Sequence, residues 1–175
     1  MQLTLNKNGK RYRGITTQIS AIDRDLGKFR WTVINVDSTG KRARLYVQHR
    51  ATKKSAVYFG VPVGYNIYLH RLILARKLQM PYVVIVASGV RCDHKNGTGL
   101  DNSRSNIRPA TSNQNNQNRR TGPYKGVYRT KFGTFWSGVQ ADGVFHYCGT
   151  FHSREEAKEA RDEMAKKLHA RFFHS

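Results

Sequence analysis

Glutamate does not occur in the first 118 residues of this chain, and only five aspartates stand among the twenty lysines and arginines that precede Asn118. Long hydrophobic runs are missing too. The longest, Tyr82–Ala87, is far short of the ~20 apolar residues a spanning helix needs. No basic amphipathic helix of the membrane-surface kind is visible, so no membrane partner is expected. Cysteine is scarce: Cys92 and Cys148 form no C-x-x-C pair. That argues against a cysteine-built zinc site and for a reduced, cytosolic setting. The opening stretch "MQLTLNKNGKRYRG" has no apolar signal segment after its charges, so secretion is not expected.

What is present is positive charge. Thirty-one basic residues face eleven acidic ones, a net of +20, of which +15 falls before Asn118. Such an excess repels itself unless a polyanion offsets it, so a nucleic acid is the expected partner. Solubility alone is the weaker explanation. A length of 175 residues suits one or two small domains with modest cores.

Residues 1–60 read as β-rich. "KFRWTVINV" and "ARLYVQH" carry β-formers around "DSTGKR", which reads as a hairpin. "YNIYLHRLILARKLQM" places Leu69, Leu72, Ile73, Ala75 and Leu78 at near-helical spacing and ends before Pro81. "YVVIVA" reads as a short buried strand, and the polar, broken "NRRTGP" as a linker. After it, "YKGVYRT", "FWSGVQA" and "VFHYCGTF" read as three strands, the last two joined at Asp142-Gly143. Ser153 and Glu156 have capping-box spacing, and Ala157, Ala160, Met164 and Leu168 form the apolar stripe of the helix that follows.

Between the two parts lies "CDHKNGTGLDNSRSNIRPATSNQNN". Phosphodiester hydrolysis needs a base to deprotonate water and a cation to stabilise charge on phosphate and leaving oxygen. His94 offers a base titrating near neutrality. Asp93 and the asparagines offer oxygen ligands for a hard cation, Mg2+ or Mn2+. Adjacent residues on an extended segment face opposite ways, so Asp93 and His94 share a site only if the backbone turns or the metal lies to one side. Asn96, Asn113, Asn116 and Asn118 read as ordinary loop asparagines. Arg104 and Arg108 read as meeting phosphates or solvent, and His70 as structural or a phosphate contact.

"DHKNGTGLDNSRSNIRPATSNQNNQNR", with His94, Asn106 and Asn115 in order, resembles the HNH endonucleases in the form common among phage-encoded and homing enzymes. The resemblance covers roughly residues 68–119. It implies a ββα-metal module with His94 as general base, Asp93 and Asn115 as metal ligands, and Asn115 on the helix. It implies that Asn106 orients the imidazole or ties down the hairpin loop, and that Asn102 has a structural role. "YLHRLIL" is similar to the helix that often precedes this module. No zinc is expected.

"YKGVYRTKFGTFWSGVQADGVFHYCGTFHSREEAKEARDEMAKKLH", about Tyr124 to His169, resembles the APETALA-type DNA-binding domain of plant ethylene-response factors. That family lays a three-stranded sheet in the major groove and backs it with a helix. The resemblance implies outward positions at Lys125, Tyr128, Thr130, Phe132, Gly138, Gln140, Phe145 and Tyr147, with Arg129 and Lys131 beside them. Plant members carry arginines and tryptophans where this chain has Tyr128, Thr130 and Gln140, so no target sequence carries over.

The expectation is therefore an α+β protein in four parts: a β-rich region at 1–60, a nuclease module at 61–119, a linker at 120–123 and a DNA-binding domain at 124–175. Its expected activity is metal-dependent hydrolysis of double-stranded DNA, by nicking or by double-strand cutting, as monomer or homodimer. The expected location is the cytoplasm of a bacterial host. The alternative is a DNA-binding regulator that keeps the nuclease fold without cutting. An RNA-binding protein is a weaker third, since the usual signatures are missing.

Overall fold

The structure, a computed structural model, describes residues 1–5, 14–36, 44–117 and 123–169. The "DSTGKR" turn and nearly all of the "NRRTGP" linker lie outside the described residues. The chain is mixed α+β, with small sheets, and divides into two compact units, Met1–Thr111 and Ser112–Ser175.

In the first unit, β1 (Gln2–Thr4) pairs antiparallel with β2 (Thr16–Ile19). A 3₁₀ helix, Ala21–Lys28, then leads to β3 (Thr32–Asn35), which pairs with β4 (Leu45–Arg50). α1 (Lys53–Phe59), β5 (Asn66–Tyr68), α2 (Leu69–Lys77) and α3 (Tyr82–Ala87) follow, with β5 on the free edge of β4. β6 (Arg91–His94) and β8 (Ile107–Ala110) form an antiparallel ribbon. The loop between them contributes β7 (Asp101–Asn102), which runs parallel to β2. Trp31, Leu26, Val47, Ile67, Leu69, Ile73, Leu74 and Ile107 are fully buried and form one core beneath these elements.

Two expectations are corrected here. Residues 1–60 are not all strand: Ala21–Lys28 and Lys53–Phe59 are helical. α1 is set by a Thr52–Ser55 capping box and ends at Gly60 in left-handed conformation, φ 64°. The cap satisfies orphan N–H groups that a strand would not leave. Tyr82–Ala87 is a helix and not a buried strand. It buries only Tyr82 and Ile85, three apart, while Val83 and Val84 are exposed. Pro81 at its N-cap forgoes no helical hydrogen bond. The Tyr82 hydroxyl accepts from Tyr68 N at 3.0 Å, which pins this face to the start of α2.

One buried acid braces the unit. Asp23 is fully buried in the 3₁₀ helix and takes two bonds from Arg104, at 2.8 and 2.9 Å, and one from Arg76 at 3.4 Å. A charge in that position is tolerated only because it is paired.

The second unit contains α4 (Ser112–Gln117), then β9 (Val127–Arg129), β10 (Phe135–Ala141) and β11 (Val144–Phe151) in an antiparallel sheet, with β10 central. α5 (Arg154–His169) packs on it. Asp142 and Gly143 both have positive φ, 48° and 84°, as a two-residue hairpin turn requires. Ser153 and Glu156 complete the capping box, with bonds of 3.1 and 3.2 Å. The buried face of α5 runs through Ala157, Arg161 and Ala165, so the expected stripe is rotated: Ala160, Met164 and Leu168 flank it, half-buried.

Candidate active site and candidate nucleic-acid face

The ribbon β6–β8 carries the first set of candidate residues. Asp93 lies opposite Arg108, and His94 opposite Ile107. The chain turns as soon as it leaves His94, where Gly97 N donates to His94 O at 2.8 Å. Asn106 closes the loop from the other side. Its Oδ1 accepts from Asn96 N at 3.0 Å, its Nδ2 donates to Asp101 O at 2.7 Å, and its carbonyl accepts from Lys95 N at 3.0 Å. Asn96 adds a bond to the Asp101 carboxylate at 2.8 Å and accepts from Thr98 N at 2.9 Å. These bonds account for Asn96 and Asn106: one amide both donates and accepts, and so ties a loop without adding charge.

His94 is buried, 6% exposed, and its Nε2 lies 3.3 Å from Asn102 Oδ1. Asn102, fully buried on β7, in turn donates to Thr17 Oγ1 at 2.8 Å and to Gly99 O at 3.3 Å. Asn102 thus meets the imidazole, while Asn106 ties the loop. His70, the second residue of α2, sits with its ring centre 5.5 Å from that of His94, and Tyr46 lies beside both, at 5.0 and 5.8 Å. The Nδ1 atom of His70 is buried with no hydrogen-bond partner among the described residues. Loss of hydration holds both histidines below the usual imidazole range, and the neighbouring His94 adds to the effect on His70. Near neutral pH the His94 ring is therefore uncharged, the state a proton acceptor needs. Cys92, next in the strand, is inert by contrast: burial pushes its thiol up to about 12.

Asp93 is almost fully buried, and its Oδ2 accepts from Arg108 Nε at 2.7 Å. Arg104 is engaged by Asp23. Asn115 stands on α4, half-buried, in the second unit. Among the described residues no group of three or more His, Cys, Asp or Glu side chains gathers around a point. A lone carboxylate such as Asp93 suits a hard divalent cation that keeps water and phosphate oxygens in its shell, and the described residues make no all-protein cage around it.

The second candidate surface is the sheet face turned away from α5. Tyr128 stacks on Trp136 with ring centres 4.4 Å apart, and Phe145 and Tyr147 meet the same indole at 6.1 and 6.5 Å. Tyr128, Phe145 and Tyr147 are each about half exposed. Gly138 lies beneath Phe145: a Cβ there would fall 2.1 Å from the ring. Gln140 is exposed on the same strand and Arg129 at the end of β9, while Lys125 is half-buried. Thr130 ties the β9–β10 turn through Thr134 Oγ1 at 2.8 Å, and the Lys131 ammonium lies 5.0 Å over the exposed Phe132 ring. On the opposite face, where α5 packs, Val139 and Ala141 of β10 are buried, as are Ala157 and Ala165 of α5.

The chain is similar to an uncharacterized HNH endonuclease of Acanthamoeba polyphaga mimivirus, 29% identical over 117 residues, which is 65% of this chain and 60% of that relative. The likeness supports an HNH endonuclease. No protein-family model and no solved structure matches the chain. Within the described residues no helix is long and apolar enough to cross a membrane.

Two contributors to this site had no local signal in the sequence. Thr17 comes from β2, 85 residues before Asn102, and Tyr46 from β4. Trp136, at the centre of the aromatic face, carries no signal in the sequence beyond that of a strand former.

Proposed function

We propose that the chain is a metal-dependent DNA endonuclease in which His94 is the general base and the C-terminal sheet contributes to DNA binding. The observation that carries this is the buried, uncharged His94, placed beside Asp93 where β6 turns into an asparagine-tied loop. His94 accepts a proton from a water molecule, and that water attacks phosphorus. Asp93 is the residue of the first unit that would hold a divalent cation, Mg2+ or Mn2+, beside the strands β6 and β8; Asn115, the other ligand that the sequence resemblance implies, stands on α4 of the second unit. The cation supplies charge stabilisation at the phosphate and leaving oxygen. The net charge of +20 attracts the phosphate backbone whatever its sequence. Tyr128, Gln140, Phe145 and Tyr147, with Arg129, Lys131 and Phe132 at the edge, are the candidates for contacts that discriminate between sites.

The experiment is plasmid cleavage in Mg2+. Nicked or linear product is expected, and a chelator should abolish it. His94→Ala should cut on the order of a hundredfold more slowly or worse, with DNA affinity unchanged. Cutting in the presence of chelator removes the metal from the proposal, and full activity in His94→Ala removes the base.

A further inference from the structure

We propose that Thr17 and Asn102 are positioning residues that fix the tautomer of His94, with the proton on Nε2 and the lone pair on Nδ1. The argument is one of hydrogen-bond direction. The carbonyl oxygen of Leu100 can only accept, so the Thr17 hydroxyl donates to it, at 2.7 Å. The Thr17 oxygen is thereby left as an acceptor, and it takes a hydrogen from Asn102 Nδ2 at 2.8 Å. The other hydrogen on Nδ2 points to Gly99 O, a second group that can only accept, at 3.3 Å. Both contacts orient the amide the same way and turn its oxygen to His94 Nε2, 3.3 Å away. An amide oxygen cannot donate, so Nε2 carries the hydrogen. A neutral imidazole has a single N–H, which leaves the lone pair on Nδ1.

The string is sealed. Thr17 is 1% exposed, Asn102 0% and His94 6%, so water does not compete for its inner links. The backbone holds it in register: β2 runs alongside β7, with Ile19 opposite Asn102 and Gln18 N donating to Leu100 O at 2.9 Å. A residue far from the nuclease motif in sequence thus selects which nitrogen can take a proton.

The catalytic meaning of this string rests on the proposed role of His94 as base. The tautomer itself belongs to the protein alone and is measured without DNA. The full chain is labelled with 15N-histidine, and long-range proton–nitrogen correlations are recorded for native protein, Thr17→Val and Thr17→Ser. Native protein and Thr17→Ser should show His94 protonated at Nε2. Thr17→Val, which keeps the shape but removes the acceptor, should show a second population protonated at Nδ1. Its kcat should fall about five- to tenfold, the scale of one neutral hydrogen bond, with KM unchanged and the serine variant restoring the rate. Should the valine variant not fold, Thr17→Cys, whose thiol accepts only weakly, makes the same comparison. A native spectrum with the hydrogen on Nδ1, or a Thr17→Val spectrum identical to native, overturns the proposal. If the tautomers behave as expected but DNA is not cut, the nuclease proposal falls and the tautomer lock stands.

Discussion

His94 and His70 share one buried neighbourhood with Tyr46, and neither gains a proton there readily. In the unfolded chain both would titrate near the usual value of about 6.5. A folded pKa below the unfolded one means that the unfolded state binds protons first as pH falls. Stability is therefore full above about pH 6.5 and is lost as the pH drops from there through the folded values. The urea midpoint should be lower at about pH 5.5 than at about pH 7.5. His70→Phe, which keeps an aromatic ring against Tyr46 and Tyr68, should flatten that dependence. A native midpoint equal at the two pH values would contradict the cause assigned to both shifts. At this scale the sequence points to candidate residues more readily than to what they touch. Asp93, His94, Asn102 and Asn106 stand in a recognisable order. The split of work between Asn102 on the imidazole and Asn106 on the loop was not visible, because it depends on which way each amide turns. Arg104 and Arg108 look alike as exposed cations in a basic stretch. The carboxylates that engage them, Asp23 and Asp93, lie 81 and 15 residues away.

Elements whose signals are local were legible. The Asp142-Gly143 turn and the Ser153–Glu156 cap depend on residues within four of one another, and both are formed. Tyr82–Ala87 was not legible: a six-residue apolar run has no period, and only tertiary packing of Tyr82 and Ile85 decides for helix. The sheet of the second unit gives a sharper test. Phe145 lies across β10 because residue 138 has no side chain, and a Cβ added there would also fall 3.0 Å from His146 O. Gly138→Ala should force the ring outward, destabilise the unit by about 1 kcal/mol, and break the edge contact of Phe145 with Trp136. Loss of the nuclear Overhauser effects between those two rings, with the fold retained, is the expected result. Unchanged effects would show that the ring does not depend on the glycine.

At the scale of the molecule, most of the net charge and the exposed aromatic face fall on different stretches. The residues before Asn118 carry +15 of the net +20, and backbone attraction carries little sequence information. A chain ending at Arg120 keeps His94, Asp93 and Asn115 but loses the aromatic face. It should bind DNA with strong salt dependence and cut slowly, with much of its preference among sites gone. Cleavage-site profiles of the full and shortened chains at one fixed salt concentration make the comparison; coincident profiles would place site selection within residues 1–120.

The parallel pairing of β2 with β7 has a consequence for how the protein is made. Thr17 and Leu100 are 83 residues apart, so at about 5–20 residues per second the ribosome needs roughly 4–17 s between them. Until Leu100 and Asn102 have emerged, β2 has no neighbour on that edge and the imidazole has no clamp. Closing so long a loop is slow compared with forming the adjacent β6–β8 ribbon. The β6–β8 ribbon should thus exist on the nascent chain before the imidazole is clamped, and the step that clamps it is the docking of a strand synthesised near the start.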